Sequence, residues 1–336
     1  MKEFKKVDQV FIKSNNTVNK IYNRYLYCLI PFVIFLIIYN LIWGSISVII
    51  SFFKFFIVSL IICTIIQYIF NLKNKQKNFS KIFLDDQVLP ISIILSLFAN
   101  STGILTIIIS SIITMIIKNI TQNKTLSSVL YGLLFILISK YYYFNIDSPL
   151  SNLAKLSYVD TFDKIVTPYG NILDYSFGLN PYYLSPILSV LAFIYLFRKK
   201  SIKYNIVLSY LLTIIFPMLI LGLFNHMNIW YLIFQLTTGN LLFLSVFILP
   251  SYKDSPITFE EQIIYGIVLG LITIILRFIV PELSVVLTLI LGVLLINKLI
   301  TRIGIKLKYN KRYYYTILSI SIILVIISTI IINIII

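Results

Sequence analysis

Charge is scarce in this chain, and so are the residues that carry chemistry in soluble proteins. Only 12% of its 336 residues are charged while 59% are hydrophobic, whereas soluble domains carry about 25% charged residues. With a mean hydropathy of +0.95, the polar surface is too small to clothe a soluble globule, and the fold class expected is an all-α polytopic membrane protein. There is one histidine and there are two cysteines, too few for a metal-ligand spacing or a disulfide framework. Cys28 and Cys63 both fall in apolar runs and read as small core residues. His226 lies in the short turn Asn225-His226-Met227-Asn228 and reads as an interfacial residue. No paired-carboxylate, nucleophile-elbow or phosphate-loop pattern occurs, which argues against a self-contained hydrolase or NTPase. The first 25 residues are polar and basic, unlike a cleaved signal segment, so the first span is expected to be retained.

What the chain has in abundance is apolar runs. Crossing about 30 Å of hydrocarbon takes roughly 20 apolar residues. On that ruler helices are expected near 26–43, 46–70, 103–121 and 126–143, then near 182–198, 203–225, 229–249, 262–280, 282–299 and 313–336. A shorter run at 88–99 reads as a half-helix. The chain thus divides into a basic N-terminal arm (1–25), a five-helix half (26–143), a polar central loop (144–180), a second five-helix half (181–300) and a basic loop with an extra helix (301–336). The architecture expected is about 10 to 11 transmembrane helices, as two five-helix repeats with interrupted third helices plus the C-terminal addition.

The net charge of +16 would suggest a nucleic-acid partner in a soluble protein, so its placement matters. Counted along alternating spans, the stretches 2–24, 73–81, 118–124, 198–203, 253 and 298–312 fall on one side and hold 23 of the 28 basic residues. The other side has only Lys140, Lys155 and Lys164, while Lys54 and Arg277 lie within spans. Cytoplasmic loops collect Lys and Arg, so the N-terminus is expected inside, the central loop outside, and no nucleic acid is needed. The central loop holds four of the twelve acidic residues.

The two halves echo each other. The run at 88–99 closes in Asn100-Ser101-Thr102-Gly103, and the span from Ile229 is broken by Thr237-Thr238-Gly239-Asn240 and closed by Pro250. Interrupted spans at matching positions point to broken helices around a midplane site. With five spans between equivalent helices, the second half is inverted. Charges inside spans cost about 2.5–3.5 kcal/mol at the bilayer centre. Lys54, among Phe52, Phe53, Phe55 and Phe56, either snorkels or faces a polar path. Arg277 lies four residues before Pro281 and Glu282, roughly 6 Å along a helix. It can pair with Glu282 or meet an anionic ligand such as a phosphate.

The region 239–297 resembles RnfD, a membrane component of the Rnf electron-transport complex, which is itself similar to NqrB of the sodium-pumping NADH:quinone reductase. The matching residues are Gly239, Ser255-Pro256-Ile257-Thr258, Tyr265-Gly266, Gly270, Ile272-Thr273, Arg277, Pro281-Glu282 and Leu294-Leu295-Ile296-Asn297. Weaker matches at Phe11-Ile12-Lys13-Ser14, Thr17, Gly132, Phe135, Ser139 and Phe177-Gly178 extend it along the chain, and residues after about Arg312 lie beyond it.

The resemblance implies a helical subunit of a multi-subunit complex that carries flavin mononucleotide (FMN) and couples electron transfer to sodium or proton movement. It is a non-autonomous part of an oxidoreductase in the cell membrane, with other membrane and flavin-bearing subunits as partners. In that family FMN is joined through its phosphate to a threonine in Ser-Gly-Ala-Thr-Pro, and the residue at that place here is Thr167, followed by Pro168. Arg277 is then a candidate phosphate contact. The motif departs from the family at Lys164-Ile165-Val166, and Ser251-Tyr252 replace its Asp-Pro. The residues read without the resemblance also allow a small-solute transporter or channel with two repeated halves.

Overall fold

In the computed structural model, the residues described are 18–42, 46–73, 87–99, 102–121, 126–140, 184–224, 232, 235–237, 240–251, 254–280, 283–309 and 311–335. Among them all regular structure is helical. The chain is a multi-pass, all-α membrane protein. The first half holds α1 (Val18–Ile42), α2 (Ile46–Lys73), α3 (Val88–Phe98), α4 (Ile104–Ile120) and α5 (Val129–Ile138), the last entered through a 3-10 turn, Leu126–Ser128. The second half holds α6 (Pro186–Arg198), α7 (Tyr204–Phe224), α8 (Leu241–Phe247), α9 (Phe259–Ile279) and α10 (Ser284–Leu291), which continues through a π turn, Gly292–Ile296, into α11 (Asn297–Tyr309). A final helix, α12, covers Lys311–Ile335.

The apolar runs become helices close to where their length places them, and the differences have local causes. The first helix already covers Val18–Ile42, so Lys20, Asn23 and Arg24 lie on it ahead of the apolar run expected near 26. α9 starts at Phe259, fixed by a capping box in which the Thr258 hydroxyl and the Glu261 carboxylate each take the other's backbone N–H. The basic segment read as a loop from 301 is helical through Tyr309.

Both third elements are short, 11 residues for α3 and 7 for α8. Each is opened by a non-glycine residue in the left-handed region, Gln87 at φ 59° and Asn240 at φ 58°. Neither forms a side-chain cap, and the residue's carbonyl takes the first helical bond, from Ile91 N in one case and Leu244 N in the other. The matching start is a structural signature of the repeat. Packing repeats with it: α2 lies on α3 and α4, and α3 on α1 and α5, as α7 lies on α8 and α9, and α8 on α6 and α10. The halves meet where α1 contacts α6 and α5 contacts α10. Aromatic rings fill the centre, with Phe32 edge-on to Phe243 at 5.3 Å between centroids and Phe98 at 5.9 Å from the same ring.

Small residues set the closest helix crossings. Gly266 and Gly270, one turn apart on α9, face Ser209 and Thr213 of α7, and a Cβ on Gly266 would fall 2.8 Å from the Ile206 carbonyl oxygen. Gly132 of α5 meets Ser110 and Thr114 of α4 in the same manner. Membrane helices lack a hydrophobic drive toward one another, so such close approach is a main source of their cohesion. Many buried hydroxyls return to carbonyls three or four residues back, as Ser92, Ser110, Thr114, Thr273 and Thr288 do, which hides their polarity inside the helix.

Candidate functional site

One end of the bundle gathers the basic segments and ties them together. Arg24, near the start of α1, donates to the Lys199 carbonyl and the Ser201 hydroxyl, both at 2.8 Å, in the turn between α6 and α7. The Lys203 ammonium, just before α7, spans to the α8–α9 loop and donates to Ser255 O at 2.9 Å, Ser255 Oγ at 3.0 Å and Pro256 O at 3.0 Å. Burial pushes Lys203 down to about 8, while the carboxylates of Asp254 and Glu261 oppose that shift. The Ser255 hydroxyl itself donates to Ser251 O. On α9, Gln262 Nε2 donates to Ile257 O at 3.0 Å, and Asn205 Nδ2 donates to Gln262 Oε1 at 3.1 Å. The loop 254–258 is therefore held from α7 and α9 together.

From that loop Asp254, only 7% exposed, reaches the other half and accepts the Ser127 hydroxyl at the entry to α5. A carboxylate placed there also suits the positive end of the α5 helix dipole. Beside this contact lies a cavity of about 380 Å³. Its walls are the end of α4 (Ile117, Thr121), the start of α5 (Ser127, Ser128, Tyr131), Asp254, and the π turn with α11 (Val293, Leu294, Asn297, Lys298). Two buried polar atoms in these walls, Ser128 Oγ and Asn297 Oδ1, have no hydrogen-bond partner. The π turn forms one wall, and such turns recur at functional sites because they displace side chains from the helical register.

Away from this loop cluster, Arg277 is buried in the last turn of α9, 4% exposed. Its guanidinium donates to the carbonyl of Gln235, in the helical piece that precedes the break before α8. A broken helix leaves carbonyls without intrahelical donors, so Arg277 supports the interruption. Gln235 Oε1 is also buried and has no partner. The same region brings Tyr210 OH within 3.0 Å of Thr273 Oγ1.

Thr167 and the whole central loop 144–180 lie outside the described residues, as do His226, Gly239 and Pro281-Glu282. Lys54 is exposed on α2, eight residues in, roughly 12 Å from the helix start. Cys28 and Cys63 are buried thiols, as their apolar surroundings require. Among the described residues no group of three or more His, Cys, Asp or Glu could hold a metal ion. Sequence reasoning passes over Asp254. The signal that could have found it is its rarity, a single acid in a loop on the lysine-rich side, three residues after the place where the resembled family has its Asp-Pro.

A family model for the NQR2, RnfD, RnfE family matches residues 6–310. The chain belongs to that family. The match runs through both helical halves and stops as α12 begins, so α12 is an addition to the shared architecture. Membership makes the protein a membrane subunit of the Rnf/Nqr type. No curated protein matches the chain.

Proposed function

We propose that the chain is the flavin-carrying membrane subunit of an Rnf/Nqr-type electron-transport complex in the cell membrane, with FMN joined through its phosphate to Thr167 and electron transfer coupled to ion movement. The observation that carries this reading is the family match over 6–310, which takes in both halves and the loop that contains Thr167. The convergence of Arg24, Lys199, Lys203 and Lys298 on one end of the bundle supports a cytoplasmic assignment for that end. With that end inside, the count of spans along the sequence puts the central loop 144–180 outside, where an attaching enzyme has access.

The residues present fit the group in two respects. A phosphoester requires a hydroxyl, which Thr167 supplies, and a phosphate calls for a fixed cation. Arg277 is a buried cation with a planar guanidinium, the group that matches phosphate in two-point contact, and it is held in place by the Gln235 carbonyl. When bound, the isoalloxazine ring supplies the redox chemistry, and the protein supplies position and electrostatics. The partners are other membrane subunits, including flavin-bearing ones.

Mass analysis of the peptide that contains Thr167 tests the proposal. Protein made in cells with the flavin-attaching enzyme should carry one FMN on that peptide, lost in Thr167→Ala. An unmodified Thr167 in protein from such cells would refute attachment.

A further inference from the structure

We propose that the cavity between α4, α5 and α11 binds the headgroup of a zwitterionic membrane phospholipid that ends in a primary ammonium. Three observations set the ligand chemistry. Ser128 is 2% exposed and its Oγ has no hydrogen-bond partner. Across the cavity, Asn297 Oδ1 is buried in the same condition. Asp254 contributes a carboxylate, one oxygen of which takes the Ser127 hydroxyl. The amide oxygen and the carboxylate only accept and the Ser128 hydroxyl is able to accept, so a ligand that satisfies all three presents N–H donors, and the carboxylate favours one with a positive charge.

The rest of the cavity sets its source. At about 380 Å³ it has room for about a dozen waters at roughly 30 Å³ each, too wide for a bare ion to be gripped from opposite walls. Lys298 on the rim offers a cation to an anionic group. The apolar part of the wall is Ile117, Val293 and Leu294, next to Thr121 and Tyr131, and Leu294 is 44% exposed beside Leu295 at 57%. In a bilayer that exposed surface faces acyl chains. Ammonium, phosphate and hydrocarbon in that sequence describe a phospholipid at the membrane boundary, not a soluble amine. The inference goes beyond the redox role and does not depend on flavin.

The test uses the full chain in nanodiscs of defined composition, with bound lipid read by native mass spectrometry. Phosphatidylethanolamine should be retained about tenfold over phosphatidylcholine, the factor for loss of one to two hydrogen bonds of roughly 1 kcal/mol each. Retention should fall stepwise through the mono- and dimethylated headgroups, a series that needs no variant. Ser128→Ala with Asn297→Leu should abolish the preference, provided the variant keeps the wild-type melting profile. Equal retention of the two lipids, preference for anionic phosphatidylglycerol, or a preference that survives in the double variant would each overturn the proposal. Glycerophosphoethanolamine, the headgroup without chains, should compete poorly; competition equal to that of the whole lipid would overturn the lipid source.

Discussion

Replacing Gly266 by alanine tests whether the α7–α9 crossing is a principal joint of the second half. A Cβ at that position would lie 1.8 Å from Ser209 Oγ, 2.9 Å from Ser209 Cβ and 2.8 Å from the Ile206 carbonyl oxygen. The hydroxyl can rotate away, but the carbonyl and the Cβ move only with their helix. Restoring ordinary contact at about 3.4 Å requires the two helices to part by about 0.6 Å. Overpacking of this kind costs about 1–3 kcal/mol, against a gain of up to about 1 kcal/mol in helix propensity for alanine over glycine. Gly270→Ala adds a second clash one turn on, 2.6 Å from Thr213 Cβ, so the double variant should lose more than either single one. Melting can be followed by a thiol-reactive dye, because Cys28 and Cys63 are 6% and 0% exposed until the bundle opens. Ser209→Gly in the Gly266→Ala background removes two of the three contacts and should recover part of the loss. Ile275→Ala, on the lipid-facing side at 45% exposure, should change little. A Gly266→Ala protein that melts with the wild type would refute the idea that close approach holds this pair.

Two further outcomes concern the basic end. Asp254→Ala removes the carboxylate that accepts the buried Ser127 hydroxyl and should cost about 1–3 kcal/mol in the same melting assay, whereas Asp254→Asn keeps an acceptor and should cost less; equal losses would mean that charge, not the bond, is what matters. Lys203, lowered to about 8 by burial, should acylate with a midpoint near pH 8, against about 10.4 for an ordinary lysine, as read by peptide mass. Because its folded pKa lies below the unfolded one, the unfolded chain binds more protons between those values, and Lys203 makes stability rise with pH across that window. A midpoint near 10 would refute the burial argument.

The spans were legible because bilayer thickness imposes a length on apolar runs, and the shared end was legible because lysine placement follows topology. The half-helices were readable from Pro250, Gly239 and the short run at 88–99, but the left-handed starts at Gln87 and Asn240 were not. A left-handed glutamine has no compositional signal. Arg277 was legible as a buried charge near a helix end, whereas its partner was not, since Gln235 is 42 residues away and offers only a backbone carbonyl. The cavity was hidden for a similar reason: Ser128, Asp254 and Asn297 come from three separate segments, each ordinary alone.

The last helix shows what such long-range placement does to function. α12 lies beyond the family match, yet it packs against α7, α9 and α11, with Val325 set between Ile267 and Leu271 of α9. Ile267 and Leu271 each follow one of the two crossing glycines, so α12 covers α9 next to the edge that α7 grips. Its opposite side is exposed, with Ile322, Ile323, Ile326 and Ile330 each 44% exposed or more. An added helix in that position shields the α7–α9 joint from lipid. A partner subunit that docks on the second half must therefore meet α12 itself or a face it leaves open, whereas among the described residues the outer sides of α1 and α2, including Lys54, are exposed in the first half.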